Sequence, residues 1–365
     1  MARVAFVLPN FIGGGAERVA LNLIRDFAAL GHSVDLLLIK AEGELLALLP
    51  TAVRVIDLKA ARIRDALGPL RRYLRKEKPD AVHASMWPLT VVAIAAHRLS
   101  RSDARLVTSE HTILSRQYSY YGAVRRAAMT GILRHLLPRA NARVAVSGAA
   151  ADDLARLSRL PRAMIDVIYN PLEMPAVIAS NAETEALWGS AGPRILTVGN
   201  LKPVKNFPLL LDAFARISDR SARLMIVGEG ALRPELERLA DDLAIADRVV
   251  MPGFFADPWP FFASADLFVL SSDYEGFGNV LVEALAAGRR IVSTDCSGGA
   301  EVLDHGRFGR VVPCGDPVAL ARAIGEALTE EPMPERQRAR AVELSGPGCA
   351  ARYLELMLPQ PAGAE

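Results

Sequence analysis

Two glutamates eight residues apart are the side chains whose types and spacing point most directly to chemistry. Glu275 lies in the glycine-containing segment 272–278, and Glu283 lies in an apolar stretch with helical spacing that Gly288 ends. The preceding apolar run, 266–270, is typical of a strand. A glycine loop between a strand and a helix directs backbone N–H groups and the positive end of the helix dipole towards an anion. A phosphate therefore suits this loop, and the two acids would accept hydrogen bonds from ribose and sugar hydroxyls.

A second loop contributes positive charge. It covers residues 198–206, follows the strand-like run Arg194–Val198, and contains Lys202 and Lys205. A lysine–phosphate contact is charge-assisted and contributes roughly 1.5–3 kcal/mol. The alternative interpretation is a solvated basic loop without a ligand.

These residues resemble a known signature. Glu275, Glu283 and the following Ala284–Gly288 resemble the motif of the retaining glycosyltransferases of family 4, and the resemblance is strongest from residue 194 to 313 of a nearly complete match. It implies the GT-B fold, an α/β architecture of two Rossmann-like doubly wound parallel-sheet domains facing across a cleft. It also implies transfer of a sugar from a nucleotide-diphosphate donor to an acceptor, with no metal and no other cofactor.

The resemblance assigns roles to the helix and its loop. Glu283 is expected to hold the ribose hydroxyls, and Glu275 is expected to act as a catalytic residue near the donor sugar. The backbone amides of Gly278, Asn279 and Val280 are expected to meet the diphosphate. Fixed dipoles and a lysine would then stabilise the charge on the departing nucleotide, which is an electrostatic route to catalysis.

The basic loop matches the family in part. Lys205 matches the family lysine, which is both a diphosphate ligand and a catalytic residue, but Asn200 stands where the family has an arginine. This departure removes one formal charge, and Lys202 is the residue that could replace it. The resemblance also places Gly228 and Gly253 against the nucleotide.

In the first half of the chain, Gly13-Gly14-Gly15 follows a strand-like run and opens a helix. Missing Cβ atoms let a ligand approach the backbone closely. A dinucleotide site is disfavoured because Arg18 replaces the third glycine of G-x-G-x-x-G and the second strand ends in Ile39 and Lys40 without an acid. The resemblance makes Gly14 and Gly15 donor-binding residues; a purely structural turn is the alternative.

His111 follows another strand-like run, at a position where ligand sites gather in α/β folds. The resemblance implies a catalytic histidine close to the transferred sugar. The alternative is a structural histidine, which is the interpretation we give to the other five. Ser147 is expected to cap the helix over 149–157 rather than to act chemically.

Length and pattern predict the domain organisation. A chain of 365 residues is expected to form about two domains. We predict a first Rossmann-like domain at 1–172, a linker at 173–193 with one short helix, a nucleotide-sugar-binding domain at 194–345, and a C-terminal helix at 346–365 that packs back on the first domain. The predicted strands are Val4–Leu8, Val34–Ile39, Val53–Leu58, Ala81–Ala84, Arg105–Ser109, Arg143–Ser147, Arg194–Val198, Leu224–Val227, Val249–Pro252, Leu267–Leu270, Ile291–Thr294 and Arg310–Val312.

Composition limits the setting. Three cysteines without CxxC spacing argue against a disulfide framework and against a zinc site. No signal peptide is apparent, and no apolar run reaches the 18 residues that a membrane span needs. We therefore expect a cytoplasmic protein in a reducing compartment.

Charge is unevenly distributed. The net charge is +2, yet residues 1–175 have a net charge of +10 and the remainder −8. A basic half favours an anionic partner, and the segments 62–78 and 118–139 suit the inner face of an anionic membrane. Solvated surface helices are the alternative. Nucleic acid is disfavoured because no aromatic-interleaved basic patch or recognised motif is present.

The combined hypothesis is a metal-independent retaining glycosyltransferase. It would move a hexose or N-acetylhexosamine from a nucleotide-diphosphate sugar to a glycan or lipid-linked saccharide in cell-surface polysaccharide or glycoconjugate assembly. A UDP-sugar is favoured and GDP-mannose comes next. The alternatives are a nucleotide-sugar epimerase on the same fold and a catalytically weakened nucleotide-sugar-binding protein, the latter suggested by Asn200.

Overall fold

The computed structural model describes residues 1–189, 192–345 and 348–359, and it divides into two compact units. Unit 1 comprises residues 1–172 together with the C-terminal segment from 346, and unit 2 comprises residues 173–345. Residues 190–191 of the predicted linker and residues 346–347 and 360–365 of the predicted C-terminal segment lie outside the described residues.

Unit 1 contains a parallel sheet of seven strands within the described ranges, in the order β3-β2-β1-β4-β5-β6-β7. Near-continuous runs of Val, Leu, Ile and Ala form the central strands because both faces of such a sheet are covered. The strands are β1 (Arg3–Leu8), β2 (Ser33–Leu38), β3 (Arg54–Asp57), β4 (Ala81–Ser85), β5 (Arg105–Glu110), β6 (Ala142–Ala145) and β7 (Asp166–Val167).

Helices of unit 1 connect these strands and bury one apolar face each. On α1, for example, Val19, Leu23 and Phe27 recur at helical spacing and are buried in the same core as Phe6 of β1. The helices of this part are α1 (Gly15–Ala29), α2 (Leu67–Glu77), α3 (Leu89–Ser100), α4 (Leu114–Gln117), α5 (Ala123–Leu136) and α6 (Gly148–Ser158), and the 3₁₀ turns are Glu44–Leu48, Ile63–Ala66, Leu137–Arg139 and Arg162–Met164.

Unit 2 repeats this plan with six parallel strands among its described residues, in the order β10-β9-β8-β11-β12-β13. The strands are β8 (Arg194–Val198), β9 (Arg223–Val227), β10 (Val249–Gly253), β11 (Leu267–Leu270), β12 (Arg290–Thr294) and β13 (Arg310–Val312). A core of Ile, Leu, Val, Phe and Ala side chains joins one face of the sheet to its helices. The loops that follow the strands meet at the carboxyl edge of the sheet, where ligands bind in open α/β folds.

One helix of unit 2, α11, directly follows the loop that contains Glu275. They are α7 (Ala182–Trp188), α8 (Phe207–Ala215), α9 (Arg233–Asp242), α10 (Trp259–Ser264), α11 (Asn279–Ala286), α12 (Gly298–Val302), α13 (Pro317–Thr329) and α14 (Pro334–Ser345), and the 3₁₀ turns are Pro203–Lys205, Ala246–Arg248 and Asp304–Gly306. Helix α11 ends where Gly288 has a φ of +70°, as its sequence predicts.

The last described helix, α15 (Gly348–Met357), belongs to unit 1. Its Tyr353 and Met357 are buried in the core of the first sheet, and the Tyr353 ring packs edge-on against His83 of β4 at a centroid distance of 5.3 Å. The Arg105 side chain of β5 donates a hydrogen bond to the Leu356 carbonyl. The first unit is therefore completed by residues from the far end of the chain.

The two-sheet parallel α/β prediction is confirmed, and each predicted strand is present within one or two residues. The strand predicted over 143–147 ends at Ala145, because Ser147 accepts a hydrogen bond from the Ala150 N–H and caps α6. The predicted cap is thereby confirmed. The sequence pattern missed β7, a two-residue strand too short to show a period.

Candidate functional site

Three loops of unit 2 are joined at the carboxyl ends of β8, β9 and β10. The Gly199 N–H donates to the Val227 carbonyl at 2.9 Å, and the Gly228 N–H donates to the Gly253 carbonyl at 2.8 Å. Gly228 has a φ of +149°, and a Cβ there would lie 2.0 Å from the Gly199 oxygen. Only glycine fits such a contact at position 228. The hydrogen bond between Gly228 and Gly253 also brings these two predicted site residues together.

An ion pair fixes this turn. The Arg233 guanidinium at the start of α9 contacts the Glu229 carboxylate at 2.8 Å and donates to the Met251 carbonyl at 3.1 Å. The pKa of Glu229 is lowered, mainly by the hydrogen bond from Arg233. Sequence reasoning missed Arg233, although an i, i+4 acid–base pair beside a Gly-x-Gly turn was a visible signal.

The central contact of unit 2 joins Lys205 to Glu275. The Lys205 Nζ atom lies 2.7 Å from Glu275 Oε1, with side chains 20% and 15% exposed, and the Ser272 hydroxyl donates to the same oxygen at 2.7 Å. Lys205 and Glu275, the two residues of this unit that were predicted to be catalytic, are therefore in direct contact. Ser272 was not assigned a role, although it stands three residues before the motif glutamate.

Backbone contacts hold the loop of Glu275 between its neighbours. The Asp273 N–H donates to the Val204 carbonyl at 2.9 Å, and the Asn206 amide donates to the Asp273 carboxylate at 2.7 Å. On the other side the Glu275 N–H donates to the Cys296 carbonyl at 2.8 Å. Two segments therefore determine where the Glu275 carboxylate lies: the basic loop of residues 198–206, called the lysine loop below, and the loop after β12.

Helix α11 begins directly after this loop. Gly278 is its N-cap with a φ of +92°, and Asn279 and Val280 occupy the first turn, where backbone N–H groups have no partner within the helix. Glu283 lies one turn further on and is only 8% exposed. The helix thus places the predicted amides at its positive end and a buried carboxylate just behind them.

Asn200 and Lys202 lie on the exposed side of the lysine loop. Both residues are exposed, and the Lys202 N–H donates to the Asn200 carbonyl at 2.7 Å. Lys202 forms no ion pair with any residue that the structure describes. Its charge is therefore not neutralised by a neighbouring acid, in contrast to that of Lys205.

In unit 1, the glycine loop lies at the carboxyl end of β1. The Gly13 N–H donates to Glu44 Oε1 at 2.8 Å, and Gly14 is the extended N-cap residue of α1. A Cβ on Gly14 would lie 2.3 Å from a Glu17 carboxylate oxygen. Gly15 begins the helix and is exposed. The Glu44 carboxylate thus already accepts a hydrogen bond from one backbone N–H of this loop.

His111 lies at the carboxyl end of β5, two strands from the glycine loop. Its Nε2 is 2.9 Å from the Ser109 hydroxyl, which also contacts the Ser85 hydroxyl at 3.0 Å, while Nδ1 is buried and has no partner among the described residues. Burial lowers the pKa of His111 to about 4. The imidazole is therefore neutral at pH 7, and it cannot serve as a cation there.

The residue before it, Glu110, is a site residue that the sequence analysis did not identify. It is buried, and its two carboxylate oxygens accept hydrogen bonds from the Trp87 N–H at 3.0 Å and from the Thr90 hydroxyl at 2.9 Å. Burial raises its pKa to about 7, against the opposing effect of the two hydrogen bonds. An acid that ends an apolar strand was the signal that could have identified it.

Within residues 1–189, 192–345 and 348–359, no group of three or more His, Cys, Asp or Glu side chains is arranged to hold a metal ion. Over the same ranges, every helix falls short of the length or the apolar character that crossing a bilayer requires.

Comparison with known proteins identifies the family. Residues 13–174 match the model described as Glycosyltransferase Family 4, and residues 192–330 match the model described as Glycosyl transferases group 1. The chain belongs to the family 4 type of glycosyltransferases with the GT-B fold, and the predicted resemblance is confirmed.

Relatives and solved structures agree with this assignment. The chain is 28% identical over 248 residues to the N-acetylgalactosamine-N,N'-diacetylbacillosaminyl-diphospho-undecaprenol 4-alpha-N-acetylgalactosaminyltransferase of Campylobacter jejuni, covering 67% of this chain and 66% of the relative. It is 33% identical over 174 residues to the lipopolysaccharide core biosynthesis glycosyltransferase LpsE of Rhizobium meliloti, covering 46% and 51%. These matches span only half to two thirds of the relatives' lengths. Anabaena HepE in complex with UDP has a TM-score of 0.81, 20% identity and coverage of 97% and 99%, which shows the shared fold.

Proposed function

We propose that this protein is a metal-independent retaining glycosyltransferase that uses a nucleotide-diphosphate sugar, with UDP-sugars favoured over GDP-mannose. The observation that supports the proposal is the contact between Lys205, Glu275 and Ser272 beside the first turn of α11. A lysine, a helix N-terminus and glycine turns form an anion site that needs no metal ion. The fold shared with UDP-bound HepE supports UDP as the nucleotide.

The chemistry assigned to unit 2 is departure of the nucleoside diphosphate. The bond between the sugar C1 and the β-phosphate oxygen breaks, an acceptor oxygen bonds to the same face of C1, and the acceptor proton passes to the departing phosphate oxygen. Lys205 and the first-turn amides of α11 stabilise the negative charge that grows on that phosphate. Glu275 contacts the donor sugar, and the buried Glu283 holds the ribose hydroxyls.

The acceptor we propose is a glycan or a lipid-linked saccharide used in cell-surface polysaccharide or glycoconjugate assembly. Both relatives described above have names that concern such molecules, one a diphospho-undecaprenol-linked saccharide and the other a lipopolysaccharide core. His111 is assigned to hydroxyl recognition near the transferred sugar, with its unpartnered Nδ1 as the group that would meet a hydroxyl.

A thermal-shift screen with UDP-glucose, UDP-N-acetylglucosamine, UDP-galactose and GDP-mannose tests donor choice. A ligand at 100 times its dissociation constant stabilises the folded state by about 2.7 kcal/mol, which is a readily measured shift. The variant Glu283→Ala should lose this shift, whereas Glu235→Ala, an exposed acid on α9, should keep it. Equal shifts in both variants would contradict the assignment of Glu283.

Incubation of the enzyme with donor alone separates the alternatives. A transferase leaves the donor sugar unchanged apart from slow hydrolysis, whereas an epimerase converts it to an isomer without acceptor. A catalytically weakened binding protein, which the exposed Asn200 suggests, would show donor binding by calorimetry but no product with any acceptor.

We also propose that unit 1 contacts the inner face of the cytoplasmic membrane. Tyr120 is 73% exposed and Val124 is 83% exposed, and the exposed Arg125 and Arg126 follow them on the first turns of α5. Exposed aromatic, aliphatic and basic side chains together suit an anionic membrane surface. Flotation with vesicles of phosphatidylcholine and 30% phosphatidylglycerol should retain the protein, and binding that is equal on pure phosphatidylcholine would contradict the electrostatic part.

A further inference from the structure

Trp87 is held in place by its backbone. It lies in the segment between β4 and α3, at the carboxyl edge of the first sheet. Its N–H donates to the buried Glu110 carboxylate at 3.0 Å, and its carbonyl accepts a hydrogen bond from the Tyr118 hydroxyl at 3.4 Å. The preceding residue, Met86, donates its N–H to the Ser109 carbonyl at 2.9 Å. Side chains and backbone from two other elements therefore fix the position of one tryptophan.

The indole of Trp87 is not used by the core. The residue is half-buried, its indole N–H makes no hydrogen bond to a described residue, and its ring stacks on no other described aromatic ring. Trp188 provides the contrast, since it is fully buried and its indole donates to the Ser264 hydroxyl at 2.8 Å. The Trp87 backbone is anchored, while its half-buried indole keeps an N–H that no described residue uses and that a ligand could accept from.

Tyr118, whose hydroxyl donates to the Trp87 carbonyl, belongs to an aromatic cluster with Tyr120 and Tyr121. Tyr118 and Tyr121 have ring centroids 4.9 Å apart, and those of Tyr121 and Tyr120 are 5.0 Å apart. Arg125 lies over the Tyr121 ring at 5.9 Å. Glu110, which accepts from the Trp87 N–H, is buried with its pKa raised to about 7, and the neighbouring His111 is a neutral imidazole. This edge therefore offers flat aromatic faces together with hydrogen-bonding groups.

We propose that Trp87 and Tyr118 form a saccharide subsite for the acceptor, with Glu110 as the residue that positions Trp87. One face of a pyranose ring presents C–H groups that pack on an indole face, and a hydroxyl of an adjoining residue of the saccharide can accept from the in-plane indole N–H. The Tyr118 hydroxyl donates to the Trp87 carbonyl, so it accepts from a sugar hydroxyl. The proposal rests on the function proposed above, because it specifies the acceptor side of that reaction.

A bilayer is the other partner that aromatic side chains suit, and the exposed Tyr120 and Val124 at the far end of this cluster suit it. Trp87 differs from them because it is half-buried and its backbone is anchored. Rigid anchoring lowers the entropy lost when a small ligand is bound. The observations on Trp87 therefore favour a saccharide.

The test follows the indole N–H resonances of the full-length ¹⁵N-labelled protein. Trp87→Phe assigns one resonance by its disappearance, and Trp188 and Trp259 are internal controls. Methyl glycosides of glucose and N-acetylglucosamine should shift the Trp87 resonance saturably and leave the Trp188 resonance in place. No shift with either glycoside, or a shift only on vesicles containing 30% phosphatidylglycerol, would overturn the proposal.

Two variants of Glu110 test its positioning role. Glu110→Gln keeps an oxygen that accepts the Trp87 N–H and should retain the glycoside response within 2-fold. Glu110→Leu removes that acceptor and should weaken the glycoside response at least 5-fold, while the thermal shift with UDP stays unchanged. Equal glycoside affinity in both variants would overturn the role of Glu110.

The same samples separate this inference from the proposed function. A UDP response without a Trp87 response contradicts the saccharide subsite alone. A Trp87 response in a wild-type chain that binds no nucleotide contradicts the transferase proposal, while the saccharide subsite remains supported. In a transfer assay, Trp87→Ala should raise the KM for acceptor at least 10-fold with little change in the KM for donor; a change confined to kcat would indicate a structural effect.

Discussion

The carboxyl edges of the two sheets have the same strand arrangement but opposite electrostatic character. In unit 2 the edge retains full charges, and Lys205 and Glu275 are paired while still partly exposed. In unit 1 the part of the edge formed by β4 and β5 buries its titratable groups, and burial shifts them towards their uncharged forms: it lowers the pKa of His83 to about 3 and of His111 to about 4, and raises that of Glu110 to about 7. The acidic side chains of this unit's edge, Glu17 and Glu44, lie instead at the glycine loop after β1. Topology thus decides where a site can form, and local burial decides whether its ligand is charged.

This difference matches two kinds of ligand. A diphosphate requires positive charge and oriented amides, which the lysine loop and α11 provide in unit 2. A saccharide is uncharged and rich in hydroxyls, so neutral imidazole, indole and phenol groups serve it without the cost of burying an ion. Substitutions at either edge can break or sharpen this contrast between a charged and a neutral edge.

The largest effect is expected at Lys205. Lys205→Ala removes the cation nearest Glu275 and leaves that carboxylate without its ion pair, so kcat should fall about 100-fold or more, as for other single groups that stabilise transition-state charge. Steady-state kinetics with a confirmed donor provide the measurement. Lys59→Ala, an exposed lysine in unit 1, is the control and should behave like the wild type. Unchanged turnover for Lys205→Ala would remove the basis for a charged edge.

The next effect concerns the glycine turn. Gly228→Ala would place a Cβ 2.0 Å from the Gly199 oxygen at a φ of +149°, so the turn must shift. Strain of this kind costs on the order of 1–3 kcal/mol. Chemical denaturation should show this loss together with weaker UDP binding. Gly325→Ala on α13, where a Cβ meets no atom within 4 Å, should instead be neutral or slightly stabilising. A Gly228→Ala variant as stable as Gly325→Ala would show that the three loops are not rigidly joined.

These two sites also show what the sequence could predict. Alternation of apolar runs and helical periods located each strand longer than two residues, because both faces of a parallel sheet must be apolar. The motif spacing placed Glu275 and Glu283 on a loop and on its helix, since a strand, a glycine loop and a helix have one common arrangement. Local pattern was therefore sufficient for the fold and for the residues on contiguous segments.

Contacts between distant segments were not predictable in this way. The pairs Lys205–Glu275 and Glu110–Trp87 join loops that follow different strands, and no local period encodes which side chains meet there. The buried state of Glu110 follows from the packing of α3 and of the segment before it on β5, so its raised pKa could not be inferred from a single strand end. Tertiary contacts, not local preference, determine both pairs.

Glu110 provides a pH-dependent test of the neutral edge. Its pKa in the folded chain is about 7, above the ordinary glutamate value of 4.5, so between these values the folded chain binds more protons than the unfolded chain. The free energy of unfolding therefore falls as pH rises through this window, by at most about 1.4 kcal/mol per pH unit, and levels off above pH 7. The variant Glu110→Gln has no titrating group at this position, so its free energy of unfolding should not fall in this way.

Urea denaturation of the wild type and Glu110→Gln at pH 5, 6, 7 and 8 measures the difference. The stability of the variant relative to the wild type should rise from pH 5 to 7 and then remain constant. His83 and His111 have lowered pKa values, so their contribution runs in the opposite direction, but both chains contain them and it cancels in the difference. A pH-independent difference would mean that Glu110 is ionised in the folded chain like an exposed glutamate.

The smallest effect concerns the charge missing at Asn200. Lys202 is exposed and forms no ion pair in the part of the chain that the structure describes, so its contact with a phosphate would be screened by solvent. Lys202→Ala should weaken UDP binding by about 0.5–1 kcal/mol, in the range of exposed charge pairs, and Asn200→Arg should restore the affinity in the Lys202→Ala background. Calorimetry at 50 and 300 mM salt measures both, and the effect of Lys202 should shrink at the higher salt concentration. If Asn200→Arg improves affinity equally with and without Lys202, the two positions act independently, and the charged edge of this chain depends on Lys205 and the amides of α11 alone.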